Sequence, residues 1–291
     1  MTEERTMQSG NKTDPFGYCL NTSTIKGTIE EKIEIAARAG YDGIEPWVRE
    51  LDDYLSRGGS LRELRSRIEE LGLRVVSLIA FFEWAVEDDQ RRAAGLDEAR
   101  RVMDLAWQMG CDRIAAPPSG LVDTPGLHLQ HAAARYRALI DQGSEYGVIP
   151  ILEFWGLSKS LGHLSEAAAV AIESGHSAAC ILVDIFHMYK RGSPFEGLRI
   201  VNGEAIGLVH INDYPADPPR EVIKDAQRVF PGDGIAPLTD ILADLYETGY
   251  RGMLSLELFN DEYYAQDPQA IVTTGLAKMR QQVKQAMARL A

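Results

Sequence analysis

The chain has 291 residues, 45% hydrophobic and 25% charged, a balance that suits a globular protein with a sizeable core. Its 43 acidic against 30 basic residues give a formal net charge of -13, so its average field repels nucleic-acid backbones and anionic membrane surfaces. No stretch approaches the ~18 uninterrupted apolar residues of a membrane-spanning helix, and the three cysteines, Cys19, Cys111 and Cys180, lack a pairing motif and adjoin apolar runs, which fits buried thiols in a cytoplasmic protein.

Residues 1–14, MTEERTMQSGNKTD, are polar without the apolar segment of a signal peptide, and are expected to form a disordered extension. From Pro15 onward, short β-type runs alternate with longer helical ones. The strand candidates are Phe16 to Leu20, Gly43 to Trp47, Arg74 to Ile79, Cys111 to Ala116, Val148 to Phe154, Cys180 to Phe186, Ile206 to Ile211 and Gly252 to Leu258. Between them, segments such as TIEEKIEIAARAG, LRELRSRIEELG, LDEARRVMDLAWQMG and LTDILADLYETG show helical periodicity and end at a glycine suited to a C-cap. A last helix is expected from about Pro268 to Ala291. Two strands are introduced by the same glycine–tyrosine phrase, in AGYDGIEPW and TGYRGMLSLELF, which reads as a repeated βα unit. Eight such units without a Pro/Gly/Ser-rich linker predict an α/β fold of one domain, a closed (β/α)8 TIM barrel over residues 15–291. No GxGxxG or Walker-type phosphate loop occurs, and only YKRGS after the sixth strand pairs basic residues with a glycine.

In such barrels the reactive residues come from the C-terminal strand ends. The last four strands end in ILEFW with Glu153, LVDIFH with Asp184, LVHIND with His210 and LSLELF with Glu257, each polar residue interrupting an apolar run. Neighbouring strands lie ~4.8 Å apart, so matching heights bring these four together. Three carboxylates in one place repel and raise one another's pKa, and a divalent cation is the simplest means of keeping all three ionised. Taken singly, each acid reads as a helix N-cap and the histidine as a satisfied core residue; it is the set of four that points to metal. Carboxylates plus one imidazole suit Mn²⁺ first, with Mg²⁺, Co²⁺ and Zn²⁺ as alternatives.

The opposite wall of the pocket is expected from Glu45 and Trp47, from Phe81, Phe82 and Trp84, and from Pro117 and Pro118, with aromatic rings stacking on the C–H faces of a substrate or else capping the barrel core. Glu45 also suits an N-cap or an ion pair. Asp213 could orient His210 or bind substrate, and equally could make an Asx-turn before Pro215. His128 and His131, a turn apart on one helix, read as surface residues, as does His176; His163 lies in the loop after the fifth strand, within reach of the site.

The stretches CLNTST, AGYDGIEPW, the LEF of Glu153, LVDIFHMYKRGS, VHINDYP, RVFPGDG and LSLELFNDEYY together resemble the xylose-isomerase-like barrel superfamily. Within it they are most similar to the 2-keto-myo-inositol isomerase (inosose isomerase) group and related ketose 3-epimerases, from about Phe16 to the C-terminus. The resemblance implies that Glu153, Asp184, His210 and Glu257 bind the metal, that His187 contacts substrate, and that Arg228 holds a substrate hydroxyl or carbonyl. It also implies isomerisation or epimerisation of a carbohydrate or keto-cyclitol through an enediolate stabilised by the metal, with Glu153 and Glu257 moving the proton. It implies a homo-oligomer as well. Lys159 stands near the position of a glutamate that contacts substrate in the sugar epimerases, so this chain departs from simple ketose 3-epimerisation there. Other readings are a dehydratase or 3-keto-glycoside lyase using the same enolate, a non-catalytic carbohydrate-binding barrel, and a DNA-repair enzyme of the endonuclease IV type. Six scattered histidines and the net charge of -13 oppose the last.

Overall fold

The structure, a computed structural model, describes residues 14–291; apart from Asp14, the expected N-terminal extension lies outside the described residues. Eight strands form one parallel sheet: β1 (Gly17–Asn21), β2 (Gly43–Glu45), β3 (Arg74–Val75), β4 (Arg113–Ala116), β5 (Ile149–Glu153), β6 (Ile181–Asp184), β7 (Ile206–Ile211) and β8 (Met253–Leu256). Their spatial order runs β3-β2-β1-β8-β7-β6-β5-β4, and the ring closes beyond β3, where Leu78 bridges Ile114 in parallel. The expected third strand reached Ile79, but the regular ladder stops at Val75. Its partner β2 runs into Pro46, which has no N–H to continue the pairing, and contact resumes only as a single bridge between Trp47 and Ile79.

Helices follow the strands in the order expected for crossovers. Ile29–Ala39 starts at a capping box, in which Thr28 accepts from the Glu31 amide and Glu31 answers the Thr28 amide, and it ends at Gly40 with φ 90°. Only glycine adopts that left-handed C-cap without a steric penalty. Leu61–Glu70, Asp89–Gln108, Leu129–Ser144, Leu164–Ser174, Leu238–Glu247 and the closing helix Pro268–Leu290 complete the outer layer. Among the described residues no helix is long and apolar enough to cross a membrane.

Period-two alternation divides the apolar strand residues between two layers. Cys19, Ala115, Ile151, Leu182, Leu208 and Met253 fill the barrel interior, while Leu20, Ile44, Leu152, Val183, Val209 and Leu254 pack outward under the helices. All three cysteines are free and buried, as the sequence predicts. The inward parity is what aims the functional residues. It continues from Cys19 to Asn21, from Ile151 to Glu153, from Leu182 to Asp184 and from Leu208 to His210. Polar side chains therefore form the layer directly above an apolar plug.

Candidate active site

Asp184 pairs with His210 across β6 and β7, which sets their side chains at one height. One ligand atom each from Glu153, Asp184 and His210 lies within 4.8 Å of the others. Glu257, just past β8, brings Oε2 to 3.3 Å from His210 Nδ1, and Asp184 Oδ2 stands 3.6 Å from the same nitrogen. His210 and Asp184 are fully buried, and Glu153 and Glu257 nearly so.

The histidine is oriented from below. Its Nε2 lies 3.0 Å from Glu45 Oε2, while Nδ1 is buried without a hydrogen-bond partner. An Nε2–H donating to Glu45 fixes the orientation of the ring and aims Nδ1 at the Asp184 and Glu257 carboxylates. Glu45 is itself held by Ser255 Oγ at 2.7 Å and by Asn21 Nδ2 at 3.0 Å. The same Asn21 amide donates to Glu257 Oε1 at 3.1 Å, tying the support to the site.

Four buried carboxylates, Glu45, Glu153, Asp184 and Glu257, face one fixed cation, Arg228, whose Nη1 donates to Asp184 Oδ2 at 2.8 Å and to Glu257 Oε2 at 2.7 Å. Burial pushes Glu153 up to about 8, with Glu257 and Asp184 adding to the rise and His210 opposing it. Burial works in the same sense on Asp184, yet the Arg228 guanidinium and His187 hold it well below the usual carboxylate range. For His210, burial alone lowers the pKa, but the Glu257 and Glu45 carboxylates keep it well above the ordinary value. This excess of negative charge around an unpartnered imidazole nitrogen fits a divalent cation.

Asp184 is the helix N-cap that it reads as when taken singly. Its Oδ1 accepts from the His187 amide at 2.9 Å and caps the short helix Ile185–Arg191, while Oδ2 remains for the site. The cap also positions His187, whose Nδ1 is buried without a partner and whose ring lines the cavity. Its pKa is lowered, chiefly by burial.

Above the cluster opens a cavity of about 400 Å³. Glu153, His187, Asp225, Arg228 and Glu257 supply its polar lining; Trp47, Ile79, Phe81, Val122, Trp155, Leu157 and Phe259 supply the rest. Arg228 Nη2 donates to Asp225 Oδ1 at 2.6 Å.

Several expectations for the other wall are corrected. Phe82 is 2% exposed and packs in the outer core, whereas Phe81, one residue earlier and of opposite parity, faces the cavity. Trp84 is wholly buried, its indole N–H donating to Pro117 O at 2.8 Å, and neither it nor Pro117 or Pro118 reaches the pocket. Glu45 is a support under His210 rather than a wall residue. Lys159 points outward to Asp123 at 3.3 Å. Asp213 does not touch His210: its carboxylate accepts from the amides of Gly232, Gly234 and Ala236 at 2.9 to 3.0 Å. That grip explains the glycine in PGDG, since a Cβ on Gly234 would come within 2.2 Å of Tyr214 O. His163 precedes the helix Leu164–Ser174 with its ring near Ser193, and His128 and His131 stack on each other outside the pocket. Trp47 lines the cavity as predicted, with its indole N–H committed to Asn21 Oδ1 at 2.9 Å.

Sequence reasoning missed Asn21, Trp155, Asp225 and Phe259. Asn21 had a usable signal, being the inward-parity residue that ends β1; the other three lie past strand ends, where parity no longer applies.

A family model described as xylose isomerase-like TIM barrel matches residues 33–282. A 3-dehydroshikimate dehydratase of Pseudomonas putida is 29% identical over 286 residues, covering 93% of this chain and 42% of that protein. The chain thus spans about two fifths of the length of the dehydratases it matches. An inosose isomerase of Bacillus velezensis is 28% identical over 256 residues, covering 84% of this chain and 89% of the relative. Among solved structures, a crystal structure of the IOLI protein with a binding zinc atom aligns with a TM-score of 0.87 and 25% identity, over 93% of this chain and 99% of that one.

Proposed function

The chain belongs to the xylose isomerase-like TIM barrel family, and from that premise we propose that it is a divalent-metal-dependent isomerase or epimerase of a keto-cyclitol or ketose. One observation carries the reading: Glu153, Asp184 and Glu257 and an unpartnered nitrogen of His210 converge at the base of a cavity sized for a small molecule, which Glu153 and Glu257 line. The similarity to inosose isomerases over nearly their whole length supports it.

Glu153, Asp184, His210 and Glu257 would hold the cation, with Glu45 keeping Nε2 of His210 protonated and so leaving Nδ1 to face it. When bound, the cation supplies Lewis-acid polarisation of a substrate carbonyl and its neighbouring hydroxyl. Glu153 and Glu257 face the cavity from β5 and from beyond β8, and form the acid/base pair. One takes the proton from the carbon beside the carbonyl; the other returns a proton to the opposite face of that carbon in epimerisation, or, in isomerisation, to the former carbonyl carbon while the hydroxyl proton passes to the former carbonyl oxygen. Arg228 places a fixed positive charge where oxyanion character develops, anchored by Asp225 on one side and by Asp184 and Glu257 on the other. His187 offers its ring to a substrate hydroxyl.

Incubation with 2-keto-myo-inositol in D₂O, in the presence of Mn²⁺, is expected to put deuterium at the carbon next to the carbonyl. No label with any of a broad panel of ketoses and keto-cyclitols would refute the assignment.

The Pseudomonas putida relative favours a second reading, dehydration, which begins with the same proton abstraction and ends in loss of a β-hydroxyl. With 3-dehydroshikimate and metal, that loss of water yields a dihydroxybenzoate, and the growth of its aromatic absorbance separates elimination from isomerisation.

A further inference from the structure

The cavity is divided. Glu153, His187, Arg228 and Glu257 sit at its inner end, on or beside the carboxylate cluster, and the partly exposed Asp225 is held by Arg228, while Trp47, Ile79, Phe81, Val122, Trp155, Leu157 and Phe259 form the remaining wall. The polar handle of Trp47 is already used by Asn21. Three aromatic contacts run around the wall edge to face: Trp47 with Phe81 at 5.2 Å, Phe81 with Trp155 at 5.7 Å, and Trp47 with Phe259 at 6.0 Å. The apolar surface continues to the rim, where Phe81, Leu157 and Val122 are 48%, 41% and 36% exposed.

A bare polyol ring carries hydroxyls around its whole circumference. Seated with its carbonyl at the inner end, it would press its far hydroxyls against a wall in which the Trp155 indole N–H is the one side-chain donor left, and each hydroxyl desolvated without a partner weakens binding. Stacking on a C–H face satisfies one aromatic ring, not a wall that continues through four rings and three aliphatic side chains to the mouth. The lining lacks any lysine, and its single arginine is bound to three carboxylates, so the outer part also offers nothing to a charged substituent.

We infer that the substrate of this site is a keto sugar or keto-cyclitol bearing a neutral aryl substituent, with the polyol ring over Glu153 and Glu257 and the aryl group between Phe81, Trp155 and Leu157. The herringbone of rings on the wall suits a further ring better than an alkyl chain, because edge-to-face packing adds to area burial. The inference rests on the proposed function for the reacting end only; the outer end stands on the shape and polarity of the wall.

The test is binding of two unreactive glycosides to the metal-loaded protein, phenyl β-D-glucoside and methyl β-D-glucoside, followed by tryptophan fluorescence and by saturation transfer to the ligand protons. The phenyl compound is expected to bind about tenfold or more tightly, with the strongest saturation on its ring protons. Phe81→Ala and Leu157→Ala, both at half-exposed positions, are expected to move the ratio of the two affinities toward one. Equal affinities, or a ratio unchanged in both variants, would overturn the inference. So would a self-association that buries this rim and is lost in the same variants, since a second copy would then be what the apolar surface serves. An aryl preference without α-proton exchange in any ketone strikes at the isomerase reading alone; exchange of a bare keto-cyclitol without aryl preference strikes at this one alone.

Discussion

Glu45 and Glu153 occupy the same place in the local grammar of the barrel: each is the last residue of its strand and each points inward. They nonetheless belong to different regions of the site. Glu45, in the half of the barrel built from β1 to β4, spends its oxygens on Asn21, His210 and Ser255 and lies beneath the floor. Glu153, in the half built from β5 to β8, lines the cavity. What separates the two is what their oxygens already satisfy. In the first half the polar strand ends are supports, and only Trp47 and Phe81 bring rings to the pocket; in the second half carboxylates face the pocket, beside the rings of Trp155 and Phe259.

The largest effects test the second half. Asp184→Asn and His210→Ala are expected to lose bound metal and activity together, on the order of 10³-fold, because several kcal/mol of charge stabilisation go with the cation; metal content by emission spectroscopy beside the exchange rate checks this, with circular dichroism to verify folding. Glu257→Gln is expected to keep part of its metal and yet slow α-proton exchange by about 10² to 10⁴. Normal exchange in that variant would remove Glu257 from the acid/base pair.

Glu45→Gln probes the supporting half. With the charge under His210 gone but the shape kept, metal affinity is expected to fall by about 10- to 100-fold, measured by competition with a chromogenic chelator. A loss as complete as that of Asp184→Asn would erase the distinction between support and ligand. The pH dependence sharpens it further. Burial pushes Glu153 up to about 8, so in the metal-free protein it is protonated at neutral pH. Cation binding then releases that proton below about pH 8, together with the one that a ligating His210 gives up, so affinity is expected to rise with pH through neutrality; calorimetry in buffers of different ionisation enthalpy counts the protons. The smallest effect belongs to Trp84→Phe, which removes the bond to Pro117 and is expected to cost about 1 kcal/mol of stability while leaving the exchange rate unchanged, in contrast to Trp47→Phe on the cavity wall.

The legibility of the sequence follows the same division. Glu153, Asp184 and His210 stand out because each breaks an apolar run at inward parity on a regular ladder, and registration between neighbouring strands then dictates that they meet. The aromatic wall has no such rule. Beyond the bridge of Trp47 with Ile79 the chain leaves the ladder, so nothing in the run AFFEW says that Phe81 faces the cavity while Phe82 and Trp84 turn into the core. Trp155 and Phe259 follow their strands by two and three residues and are hidden for the same reason. Glu45 was visible as a residue and an ion pair was among its readings, as its pairing with His210 bears out, but its partners were hidden because Asn21, His210 and Ser255 come from three other strands. The helices were easier: the capping box at Thr28 and the glycines after each amphipathic run mark their ends locally.

Asp213 gives the loop that carries Arg228 an unusual standing. Its backbone pairs in both directions with Val229, and its carboxylate collects three amides of the loop beyond. The segment therefore opens only when the end of β7 opens, and the amide protons of Gly232, Gly234 and Ala236 should exchange with solvent at the slow pace of the barrel rather than at that of a surface loop. For a ligand arriving at Arg228, the entropy of arranging that loop has already been spent during folding.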